Sequence, residues 1–153
     1  MTYAVRIRDA AITDLDVLIE CNAAMARETE DKEFDPVVLR AGVAAVLAQP
    51  ARGFYLVAER DGEVAGCLMI TYEWSDWRNG DWWWLQSVYV RAQHRRHGVF
   101  GALYAEVERR ASLRVDVVGV RLYVDSSNTH AQRTYATLGL REDHYRMYAK
   151  PLR

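Results

Sequence analysis

Two strand-like runs flank a single helical run late in this sequence, and that order restricts the fold more than any other feature. Trp82 to Val90 is rich in aromatic and β-branched residues. After Gly98 the apolar side chains Val99, Leu103, Val107 and Ala111 recur every four residues, the spacing of one helix face. Val117 to Val124 is again an apolar, β-branched run. Strand, helix and strand in this order form a crossover, which calls for a sheet that is at least partly parallel.

Upstream the signals are antiparallel. Phe54 to Glu59 and Val64 to Thr71 read as strands joined by Asp61-Gly62, a hairpin turn, and Asn79-Gly80 marks a second turn before Trp82. Val5 and Ile7 alternate with Arg6 and Arg8 as a first strand. Thr13 with Asp16 three residues later predicts a helix start, with the helix running to about Met25. Asp35-Pro36 opens a second helix, with a capping carboxylate and a proline whose missing N–H is harmless at the first helical position. That helix runs to about Ala48 and stops before Pro50. Asn128 to Leu138 predicts a further helix ended by Gly139, and Glu142 to Ala149 a last strand. The order is β-α-α-β-β-β-α-β-α-β, a mixed α/β sheet in one domain spanning residues 1–153. Half of the residues are apolar, enough to close one core, and no repeat or Gly/Ser linker interrupts them.

The charges nearly cancel, with 20 Lys+Arg against 21 Asp+Glu. A nucleic-acid-coating protein needs a basic excess, so no nucleic-acid partner is expected. The longest apolar runs, such as Ala41 to Ala48, fall far short of the roughly 18 residues of a membrane span, and the N-terminus lacks the apolar stretch of a signal peptide. Cys21 and Cys67 are too few for a disulfide framework, which makes a reducing cytoplasm the expected location. All five tryptophans lie between Trp74 and Trp84.

Chemistry concentrates in Val88 to Leu103, where a strand leads through a basic loop to glycines at the mouth of a helix. A helix N-terminus has unpaired N–H groups and a partial positive charge. Gly98 and Gly101 let an anion approach the backbone, and Arg95, Arg96 and His97 add positive field. A phosphate or pyrophosphate suits this place, although a solvated basic turn with capping glycines has the same composition. The Walker loop ending and the Gly-x-Gly-x-x-Gly pattern are both missing. His94 and His97 have no evident third ligand, so no metal is expected.

Arg95-Arg-His-Gly98-Val-Phe-Gly101, following Val88-Tyr-Val90, resembles the acyl-CoA-binding loop of the GNAT superfamily of N-acetyltransferases, whose usual form is Arg/Gln-x-x-Gly-x-Gly/Ala. Leu122 to Leu140 is similar to a second block of that family, an Asn-x-x-Ala-x-x-x-Tyr helix here carrying Asn128, Ala131 and Tyr135 and ending at Gly139. The element order fits the same fold. Two positions depart from the pattern: Phe100 stands where Gly or Ala is usual, and Ala92 replaces a proline after the fourth strand.

The resemblance implies acetyl-CoA as co-substrate, bound by Val88, Tyr89, Val90, Arg95, Arg96, His97, Gly98, Val99, Phe100, Gly101 and Asn128, with backbone N–H groups near Val88 to Val90 facing the acetyl oxygen. It implies direct attack by the amine of a small molecule in a ternary complex, with Tyr135 as the acid for the departing thiolate. Where many relatives carry a basic glutamate, this chain has Gln86. Glu28, Glu30, Glu73, Asp76 and Asp81 are alternative bases, and no spacing chooses among them. Glu28, Glu30, Trp74, Asp76, Trp77 and Gln86 are the expected acceptor-binding residues, with Trp82 to Trp84 as core or interface filler and a homodimer as a further expectation. Two other readings stay open: a non-catalytic acyl-CoA sensor, and an acetyltransferase of protein N-termini or lysines.

Overall fold

Three antiparallel pairings and one parallel pairing build the sheet. The computed structural model describes residues 4–153, which divide into two compact units, one up to Leu122 and one comprising Tyr123–Arg153. In the first unit, β1 (Arg6–Asp9), β2 (Gly53–Arg60), β3 (Glu63–Ser75), β4 (Gly80–Val90) and β5 (Val117–Arg121) lie side by side in chain order. Neighbours from β1 to β4 are antiparallel, while β4 and β5 are parallel, joined by the helix α3 (Val99–Ser112). The crossover read from the sequence is present.

Strand alternation sorts the core into two layers. Tyr55, Val57 and Cys67 face α1 (Leu15–Glu30) and α2 (Pro36–Ala48), where they pack with Leu18, Cys21 and Val43. The intervening residues face α3: a Cβ added to Gly66 would meet the side chain of Val99, and the guanidinium of Arg110 lies over the Phe54 ring. Among the described residues no helix is long and apolar enough to cross a membrane.

Local signals set most boundaries. Asp35 caps α2 by accepting from the Val37 and Val38 amides, with Pro36 at the first helical position as expected. The start of α1 differs from the expectation at Thr13. Asp14, not Thr13, organises the turn Ile12–Asp14: its carboxylate accepts from the Ala11 amide at 2.7 Å and is gripped by both Nη atoms of Arg8. Those bonds to Arg8 hold the Asp14 carboxyl below its usual pKa despite burial. At its other end α1 continues to Glu30, a turn beyond Met25, because Ala26 is buried and rewards another turn.

The second unit contains α4 (Thr129–Thr137). Asn128 caps it by accepting from the Ala131 amide at 3.1 Å, and Asp125 folds the preceding turn by accepting from Ser127 N at 2.8 Å. Gly139, at φ 88°, closes the helix in the left-handed conformation that glycine favours. Two strand expectations need correction. The parallel strand ends at Arg121 rather than Val124, and Glu142 to Ala149 is irregular chain with a bend at His144. Tyr145, Met147 and Tyr148 are all exposed, so that segment has no buried face to fix a ladder register.

Candidate active site

The site is built where β4 leaves its parallel neighbour. The β4–β5 ladder runs from Asp81↔Val117 to Trp84↔Arg121 and stops. Leu85 to Val90 continue with β3 alone as ladder partner among the described residues. In the same stretch β4 gains one residue against β3, since Cys67 pairs with Tyr89 but Met69 with Gln86. This bulge is centred on Ser87, a non-glycine residue at φ 50°. Gly66 pairs with Val90 just beyond the bulge, where a Cβ would come within 2.7 Å of the Tyr89 carbonyl oxygen.

Beyond Val90 the chain makes one turn, Ala92–His94, and then enters the left-handed region at Arg96 (φ 64°) and Gly98 (φ 74°). The first hydrogen bond within α3 runs from the Ala102 amide to the Gly98 carbonyl at 3.0 Å, so the amides of Val99, Phe100 and Gly101 precede it. The Phe100 ring lies 6.3 Å from that of Tyr104, one turn along the helix. The departure from the family pattern therefore leaves the position's backbone amide at the helix mouth. Space beside Gly101 is open, with no atom within 4 Å of a built Cβ.

Ion pairs brace the loop. His94 is buried, with Nδ1 3.2 Å from Arg60 Nη1 and Nε2 2.7 Å from Glu63 Oε1. A guanidinium can only donate, so Nδ1 is the acceptor and the Nε2 proton goes to Glu63. His94 is thus a structural hub, and no group of three or more metal-ligating side chains occurs among the described residues. Arg91 bonds Glu20 at 2.9 Å, and His97 Nδ1 donates to the Arg95 carbonyl at 2.7 Å. Arg95 donates to Glu28 at 2.7 Å and to the Val90 carbonyl at 3.0 Å, while the Tyr89 hydroxyl donates to the other Glu28 oxygen at 2.9 Å. Neither the pairing of Glu28 with Arg95 nor that of His94 with Glu63 has a local signal: the partners are 67 and 31 residues apart.

The residues expected to bind an acceptor fall into two groups. Glu28 and Gln86 lie toward the loop, and Gln86 Nε2 donates to Thr71 Oγ1 at 2.6 Å. Glu30 ends α1, paired with Lys32. Trp74, Asp76 and Trp77 stand at the opposite end of β4, around its hairpin turn, about 30 Å from Val90 at 3.3 Å per residue. Trp74 and Trp77 are exposed, 64% and 84% respectively. Alternation divides the other three tryptophans. Trp83 is buried beside Phe54 and Tyr72 on the α3 face. Trp82 and Trp84 share the opposite face with Gln86, paired with Glu73 and Thr71. Trp82 packs on Gly119, with Arg121 stacked 3.9 Å from its centroid. In the second unit, burial pushes the Tyr135 phenol above its usual pKa.

Comparison with known proteins fits this geometry. The sequence model described as the acetyltransferase (GNAT) family matches residues 20–140. A "possible acetyltransferase" from Clostridium difficile 630 is 41% identical, with 97% of each chain covered and a TM-score of 0.91. The GCN5-related N-acetyltransferase from Ralstonia eutropha JMP134 is 21% identical (97% of this chain, 99% of that one, TM-score 0.74) and shares the fold. So does the aminoglycoside N-acetyltransferase AAC(6')-Iy, solved in complex with CoA, at 17% identity, 99% and 97% coverage and a TM-score of 0.78. No protein of curated function matches the sequence. The chain thus belongs to the GNAT acetyltransferase family.

Proposed function

We propose that the protein transfers the acetyl group of acetyl-CoA to the amine of a small molecule. The observation that carries this reading is the continuity of three features: the edge of β4 beyond Trp84, the bulge at Ser87 and the amides at the start of α3. A strand edge with no second ladder partner suits an extended amide-bearing chain such as pantetheine, and helix amides suit a pyrophosphate. Acetyl-CoA supplies the activated acetyl thioester. The amine nitrogen forms the new C–N bond, the C–S bond breaks, one amine proton is lost and the CoA sulfur gains a proton.

This chain's groups would serve that reaction as follows. Backbone N–H groups between Val88 and Val90 would stabilise the charge that develops on the acetyl oxygen. Tyr135 would return a proton to the thiolate. A phenol near 10 and a thiol near 8.5 differ by about 1.5 units, or roughly 2 kcal/mol, and burial widens that gap while keeping the phenol protonated at neutral pH. Gln86 accepts no proton, so an amine would arrive neutral or lose its proton to water or to another carboxylate of this chain. Met69 and Tyr89 flank the bulge on the face that carries Gln86, with Thr71 and the half-buried Trp84 one pair further along. Trp74 and Trp77 would meet only a long acceptor.

Thiol release from acetyl-CoA with a panel of primary amines tests the reading. Release with at least one amine is expected, and the variant Tyr135→Phe should lower kcat by about 10²-fold with little change in acetyl-CoA affinity. Unchanged turnover in that variant removes Tyr135 from the mechanism. A second reading, an acyl-CoA sensor, is favoured by Gln86 standing where a base is usual; tight CoA binding without thiol release from any amine would select it.

A further inference from the structure

Glu28, in the last turn of α1, is where two groups from the loop end of β4 converge. Its two carboxylate oxygens accept from the Tyr89 hydroxyl and from Arg95 Nη2. Arg95 is held on other sides too, by the Val90 carbonyl at 3.0 Å and by the Tyr89 ring, whose centroid lies 5.6 Å from the guanidinium carbon. The positive charge that the sequence offers to an anion at Arg95 is therefore matched within the protein. A carboxylate engaged at both oxygens by a guanidinium and a phenol is a poor proton acceptor. Burial pushes its pKa up, but the bonds from Arg95 and Tyr89 and the charge of Arg27 outweigh that and leave it low.

We propose that Glu28 is a positioning residue for the anion-binding loop rather than an acceptor ligand or a general base. It clamps Arg95, and Arg95 fixes the chain between Val90 and Arg96. That span needs an external hold. Arg96 has a Cβ yet lies at φ 64°, a conformation that persists only where neighbours impose it. The hydrogen bonds to Glu28 and Val90 stand one residue before it. With the loop fixed, the α3 amides are already aimed when the anion arrives, and less ordering is charged against binding. Glu28 lies three residues before the left-handed Asp31 that ends α1, so the same clamp ties the loop to the α1–α2 connection.

This inference rests on the acyl-CoA reading of the loop, and calorimetry with CoA on the full chain separates the two. Glu28→Gln, Arg95→Gln and the double variant are compared with the unaltered protein, along with the pH dependence of kcat. Each single variant should weaken CoA binding about tenfold, and the double variant should be no worse than the weaker single one, because both remove one interaction. Tyr89→Phe, which removes only the phenol donor, should weaken binding by about threefold. The acid limb of the kcat profile should survive in Glu28→Gln. CoA binding in Glu28→Gln equal to or tighter than in the unaltered chain would overturn the clamp. So would additive losses, or a collapse of kcat with the acid limb gone and affinity intact, which would make Glu28 the base. If the unaltered chain bound no CoA at all, the loop reading itself would fail and the clamp with it.

Discussion

The two ends of β4 are held by different forces. At Val90 the chain is fixed by directional polar bonds: Arg95 to Glu28, Arg91 to Glu20, His94 to Glu63 and Arg60. At Gly80 packed rings dominate: Trp83 beside Phe54 and Tyr72, and Trp82 against Gly119 and the guanidinium of Arg121. A polar brace fixes direction, because each of its bonds holds only along one line. Packed rings fix position by volume instead. The difference gives aim to one end of the strand and rigidity to the other, which suits the proposal that the ligand binds at the polar end.

Three substitutions probe that division, and the largest effect belongs to the packed end. Trp83→Ala deletes a buried indole and should cost about 3–5 kcal/mol of stability in denaturant unfolding. A loss below about 1 kcal/mol would mean the aromatic end is not the rigid one. Gly119→Ala should cost about 1–3 kcal/mol, because the new methyl would sit 2.4 Å from the Trp82 ring and the indole would have to leave its seat. Retained stability with unperturbed near-UV circular dichroism would show that the Trp82–Gly119 contact is soft. Gly98→Ala belongs to the polar end. Its added methyl meets no atom within 4 Å, so the cost is conformational, about 1–2 kcal/mol for a left-handed residue with a Cβ. Its loss should appear as weaker CoA binding as well as a lower unfolding midpoint, whereas Gly119→Ala should leave CoA affinity within about twofold.

What could be read from the sequence was whatever neighbouring residues decide. Asp35-Pro36 placed the start of α2, because a cap acts on amides two and three residues away. Gly98 stood out because a positive φ is a property of one residue. The four-residue apolar spacing of α3 reported its buried face. What stayed hidden depends on partners distant in the chain. Nothing near Glu28 announces Arg95, and nothing near His94 announces Glu63. Asp14 displaced Thr13 at the start of α1 because Arg8, on β1, grips it. The roles of the tryptophans were hidden for a related reason: alternation tells which residues share a face but not which face is covered. Trp82 and Trp84 therefore read like Trp83 until β3 and β5 supplied the register.

The additional residue in β4 also has a consequence for how this chain tolerates change. Through the bulge, Tyr89 returns to the face that carries Gln86, although three positions separate them. A point substitution at Ser87 keeps that count, whereas removal of a single residue there would leave Tyr89 two positions from Gln86, on the same face by ordinary alternation but without the bulge. The count thus decides whether the strand carries its bulge, while the side chains on either side of it keep their faces. Variants of this protein with one residue fewer between Gln86 and Tyr89 should keep the facing of Tyr89 and lose the bulge.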